Sequence, residues 1–116
     1  MAKTVAIVHD EAEFQALAAA ALRAARCQVV AYPNPRAMLD EFGDARIIDI
    51  LVTRVSFAPG MPNGISLALT LRRKCPLLKV VFAARAEWER QTAGIGKLIP
   101  HPVSMARLVE AVTGSA

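Results

Sequence analysis

Several signatures of chemistry are missing from this sequence. No Gly-x-Ser-x-Gly elbow, no Gly-x-x-x-x-Gly-Lys phosphate cradle and no glycine-rich dinucleotide turn occurs, so catalysis is not expected. Cysteine is scarce: Cys27 and Cys75 lie far apart and match no metal or redox spacing, and the sequence reads them as buried free thiols. Long hydrophobic runs are absent too. The longest uncharged apolar stretch, residues 16–22, is closed by Arg23 and is too short for a membrane span or a signal-peptide core, which leads to the expectation of a cytosolic protein without a membrane partner. Basic charge is not concentrated: ten arginines and four lysines face ten acids, and no basic run exceeds Arg72-Arg73-Lys74. A net charge of +4 spread in this way permits an anionic partner but argues against nucleic acid.

What is present is a chain of 116 residues, 54% hydrophobic, which suits one compact domain with a continuous core. Short β-branched apolar runs at residues 5–8, 28–32, 47–55, 79–82 and 97–99 alternate with helical patterns. In the first helical pattern Phe14, Leu17, Ala18, Ala21, Leu22 and Ala25 form one stripe, with Asp10 as the expected cap. Asn34-Pro35 opens a second helix through Met38, Leu39 and Phe42, which Gly43 can end. Asn63-Gly64 opens a third through Ile65, Leu67, Ala68, Leu69 and Leu71. Residues 87–92 are a weaker helical segment, and Ser104 precedes a final stripe of Met105, Leu108, Val109 and Val112.

Strand then helix, five times over, predicts a three-layer, doubly wound α/β fold with a parallel sheet covered on both faces. Such folds gather ligands at the carboxyl ends of their strands. Attention therefore falls on His9 and Asp10 after the first strand, Arg54 ending the third, Ala83 after the fourth and His101 after the fifth.

These segments resemble, over essentially the whole chain, a response-regulator receiver domain of the CheY type. Residues 5–11 (Val-Ala-Ile-Val-His-Asp-Glu) stand where that family has an acidic pair. Residues 49–54 (Asp-Ile-Leu-Val-Thr-Arg) and 59–64 (Pro-Gly-Met-Pro-Asn-Gly) stand where it has the strand of the phosphoacceptor aspartate and the following loop. Residues 80–87 correspond to the strand carrying the phosphate-sensing hydroxyl, and residues 97–102 to the strand ending in Lys-Pro. The resemblance implies sheet order 2-1-3-4-5 and a cis peptide before Pro102.

Departures from the family pattern fall on its chemistry. Arg54 stands at the phosphoacceptor position, Ala83 at the hydroxyl position, His101 at the lysine position, His9 at one acid of the pair and Leu98 at the switch aromatic. The loop after the third strand is about two residues longer than the family spacing. A guanidinium stays protonated and accepts nothing, so it cannot take up a phosphoryl group, and its charge opposes a divalent cation. The sequence therefore predicts a degenerate phosphorylation pocket made of His9, Asp10, Arg54, Ala83 and His101, with no metal and no cofactor. Adjacent strands about 4.8 Å apart bring Arg54 within reach of Asp10, with which it is expected to pair as a fixed cation. The alternative leaves Asp10 as a helix cap and Arg54 in solvent. Zinc held by His9, Asp10 and His101 is a weaker reading, because their spacing carries no signature and Arg54 repels the ion.

Recognition by surfaces remains. Trp88, Arg90 and Arg107, with Leu98, Val103 and Glu110 as weaker members, fall on the face of helix 4, strand 5 and helix 5 that receivers use for partners or dimerisation. The resemblance implies a protein partner in a bacterial-type two-component pathway, such as a histidine kinase, another regulator or an output domain, or else a homodimer. The rival reading is an anion or nucleotide second-messenger module using Arg72, Arg73 and Lys74, or Arg85 and Arg90. The first three also suit the negative end of a helix.

Overall fold

A computed structural model describes residues 2–41 and 47–114; the expected contributions of Phe42 and Gly43 to the second helix lie outside them. The elements run β1 (Thr4–Val8), α1 (Ala12–Ala24), β2 (Gln28–Tyr32), α2 (Pro35–Glu41), β3 (Ile50–Thr53), α3 (Gly64–Lys74), β4 (Lys79–Ala84), a 3₁₀ turn (Ala86–Trp88), α4 (Glu89–Thr92), β5 (Lys97–Pro100) and α5 (Met105–Thr113). All pairings are parallel, in the order β2-β1-β3-β4-β5.

The central strands are buried on both faces, and their side chains divide between two apolar layers with the period of two that a pleated strand imposes. Ala6, Val8, Leu51, Val80 and Phe82 pack with Met38 of α2 and with Leu67, Ala68 and Leu71 of α3. Val5, Ile7, Val52, Val81 and Ile99 pack with Ala18 and Leu22 of α1 and with Leu108 and Val112 of α5. The helical stripes are narrower than the sequence suggested, for Leu17 and Leu69 face solvent. Of the two thiols, Cys27 is buried and Cys75 only half-buried.

The third strand is shorter than the apolar run that announced it. At its start, Asp49 Oδ2 accepts from the Thr4 amide at 2.8 Å, while Ile47 is largely exposed. At its end the Gly64 amide donates to the Val55 carbonyl at 2.8 Å, drawing the chain out of the sheet towards α3. A side chain at Gly64 would strike the Arg54 carbonyl, so glycine is required for this close approach. β4, in turn, runs on to Ala84, because Ala83 and Ala84 pair with Ile99 and Pro100.

Polar caps set several helix starts. Asn34 Oδ1 accepts from the Ala37 amide, Asn63 Oδ1 from Ser66, and Ser104 Oγ from Arg107. Asp10 is not a cap: Glu11 holds that position in α1 without a side-chain bond, and Asp10 is engaged elsewhere.

Candidate functional site

Parallel strands deliver their carboxyl ends to a single edge, and the pairing of Val8 with Thr53 sets His9 and Asp10 beside Arg54. Arg54 Nη1 donates to Asp10 Oδ1 at 2.7 Å, the length of a charge-assisted bond. The pair is partly shielded, the Arg54 side chain being 28% exposed and that of Asp10 42%. Burial pushes the Asp10 carboxyl up, but the hydrogen bond and charge of Arg54, helped by a backbone hydrogen bond and His9, outweigh it and hold the group below its usual value.

His9 lies beneath this pair, 1% exposed, with its ring stacked on Phe14. Nδ1 accepts from the Glu11 amide at 3.1 Å, which assigns the proton of the neutral ring to Nε2. That Nε2 is buried without a hydrogen-bond partner; Glu11 Oε1 stands off at 3.9 Å. Burial first, then the charge of Arg54, lower the His9 pKa to about 4 against the opposing pull of Asp10 and Glu11.

On the other side of Arg54 a cavity of about 270 Å³ opens between the loop after β3 and the turn after β4. Arg54, Val55, Ser56, Ala84, Arg85, Glu87, Trp88 and His101 line it. Ala84 takes the place expected of Ala83. With the pleat's alternation, Ala84 joins the layer of α2 and α3 and meets the cavity, while fully buried Ala83 does not line it. His101 follows β5 with a cis bond to Pro102. His9 and Asp10 do not line the cavity, so Arg54 is the hinge between two halves of the expected pocket. Ser56 and Glu87 were missed. The sequence signal for Ser56 was its position two residues beyond Arg54 on the loop leaving β3.

The receiver resemblance implies a divalent cation near Asp10, and the residues present do not fit one. The carboxylate oxygen that would bind the ion accepts instead from a guanidinium. Among the described residues no group of three His, Cys, Asp or Glu side chains is placed to hold a metal ion.

Surface positions divide as follows. Trp88 is half-buried against the layer of α2 and α3, together with Leu98 and Ile95. Arg90, Arg107 and Glu110 are exposed on α4 and α5. Val103 falls away from this face and packs in the opposite layer with Phe14 and Met105. Arg72 has a structural role: its Nη2 donates to the carbonyls of Leu78 and Ile95, both at 2.9 Å, tying the end of α3 to the turns that precede β4 and β5. Arg73 and Lys74 remain exposed beside it.

No family model and no curated protein matches the chain by sequence. Solved structures do match. A response regulator receiver protein from Sinorhizobium medicae superposes with a TM-score of 0.84 at 24% identity, covering 96% of this chain and 91% of that one. The chemotaxis response regulator CheY4 of Vibrio cholerae gives 0.82 at 15% identity, with 97% of each chain covered. The response regulator TrrA of Thermotoga maritima, in complex with Mg²⁺ and beryllofluoride, gives 0.81 at 16% identity, over 95% of this chain and 96% of that one. This chain therefore has the fold of the response-regulator receiver domains.

Proposed function

We propose that this chain is a pseudo-receiver: a signalling module of two-component type that is not phosphorylated and acts through protein contacts. The observation that carries the reading is the 2.7 Å bond from Arg54 to Asp10. It puts a permanent cation where a receiver needs a nucleophilic carboxylate and a metal, and it occupies the acid that would hold the metal. Ala84 brings no hydroxyl and His101 no lysine ammonium to the same edge. With the input chemistry gone, regulation passes to expression, to a partner or to a ligand, and no catalytic role is assigned.

The partner surface is the α4–β5–α5 edge carrying Trp88, Arg90, Leu98, Arg107 and Glu110, without Val103. Its occupant is a histidine kinase, another regulator, an output domain or a second copy of this chain, in the cytoplasm. Among the described residues no helix is long and apolar enough to cross a membrane. The test is an amide NMR titration with Mg²⁺. The pseudo-receiver reading expects no saturable shift at Asp10, Arg54 or His101; a saturable shift centred on Asp10 overturns it. Sedimentation of the wild type and of Trp88→Ala then separates a homodimer from a heterologous partner.

A further inference from the structure

We propose that the cavity beside Arg54 is a receptor for a small oxyanion, a phosphate or a carboxylate, bound reversibly and without a metal. The inference rests on the pseudo-receiver reading, since it assigns a ligand to the cavity that covalent phosphorylation no longer uses.

The cavity has a surplus of donors. Arg54 commits one N–H, on Nη1, to Asp10, and no other acceptor among the described residues meets its guanidinium. Arg85 has Glu87 Oε1 at 3.8 Å from Nη1, beyond hydrogen-bond length, so its fork is nearly unspent. Ser56 and His101 add a hydroxyl and an imidazole from two further elements. Glu87 is the one carboxylate lining the cavity, and it is exposed and only loosely held.

Walls and volume suit the same ligand. Val55, Ala84 and Trp88 supply apolar surface beside Arg54, whose side chain is 28% exposed, and partial shielding from water strengthens its attraction for an anion; Arg85 lines the same cavity with its side chain 75% exposed. Ala84 contributes only a methyl group, leaving the volume open for several heavy atoms. Guanidinium forks from the end of β3 and from the turn after β4 both line the cavity, and a planar fork is the donor geometry that oxyanions accept best.

Trp88 is the only tryptophan in the chain and lines this cavity, so its fluorescence reports occupancy directly. The experiment titrates the protein with inorganic phosphate and, separately, with acetate, free of Mg²⁺ and at constant ionic strength set with chloride. Amide NMR at Ser56 and Arg85 provides the second readout. The expected result is a saturable response that weakens roughly fivefold or more in Arg85→Ala and tightens in Glu87→Gln, which removes the competing carboxylate. Arg73→Ala, deleting the same charge at the far end of α3, leaves it unchanged. A response to phosphate alone assigns a phosphate ligand. A comparable response to acetate assigns a carboxylate, as from an acidic side chain of a partner. No saturable response to either anion, or equal weakening in Arg73→Ala, overturns the proposal. Neither result bears on covalent phosphorylation, which requires a phosphodonor and Mg²⁺.

Discussion

His9 stacks on Phe14 with ring centroids 4.1 Å apart and planes inclined by 24°, and it does so as a neutral imidazole sealed from water. The cost of charging it there sets an acid sensitivity. Between its ordinary pKa of 6.5 and the folded value of about 4, the unfolded chain takes up a proton that the folded chain refuses. Stability is therefore full above pH 6.5 and falls as the pH drops through this window, by about 3 kcal/mol in total. Asp10, held below 3.8, adds a further loss only at lower pH. Urea melts at pH 7 and pH 4.5 should show the drop, and His9→Asn, which keeps an acceptor for the Glu11 amide, should flatten it.

Arg54→Met removes the charge and the bond to Asp10 while keeping most of the stem. Because both partners are partly exposed, the loss is about 1 kcal/mol, seen as a fall in Tm of roughly 3–5 °C. In the same variant the Asp10 carboxyl titrates at higher pH, read by carboxyl NMR. An unchanged Tm together with an unchanged Asp10 titration contradicts the pairing.

Arg72→Ala leaves the carbonyls of Leu78 and Ile95 without their donor and should cost about 2 kcal/mol, read from denaturant midpoints. Lysine, a point charge in place of a fork, should restore only part of it. Arg73→Ala, on the exposed side of the same turn, should stay within about 0.5 kcal/mol of the wild type.

Gly64→Ala drives a methyl group against the Arg54 carbonyl and should destabilise by about 2 kcal/mol or more, with amide shifts at Arg54 and Val55. Alanine at exposed Ser66, two residues further along α3, should move neither.

Much of this was legible in the sequence. The alternation of β-branched runs with capped amphipathic stripes is enough to specify a parallel sheet between two helical layers, and parallel strands necessarily gather His9, Arg54 and His101 at one edge. The spacing of neighbouring strands made the pairing of Asp10 with Arg54 an expectation, but the sequence also made Asp10 the cap of α1, and only the structure shows Glu11 at that position and Asp10 bonded to Arg54. What the sequence concealed was phase. Ala83 and Ala84 are chemically identical, and only the pleat decides which one faces the cavity. Val103 likewise packs in the layer of α1 and α5, a side that local sequence does not reveal for a residue between β5 and α5. Arg72 looked like its neighbours Arg73 and Lys74, since nothing local reveals that two distant carbonyls lie within its reach.

The measurement that bears most directly on the central claim is intact-mass spectrometry after incubation with Mg²⁺ and a small-molecule phosphodonor such as acetyl phosphate, with a conventional receiver as positive control. Arg54 in place of an acceptor carboxylate predicts an unmodified mass under conditions that phosphorylate the control. Addition of one hydroxylamine-sensitive phosphoryl group, the signature of an acyl phosphate on an aspartate of this chain, would contradict it.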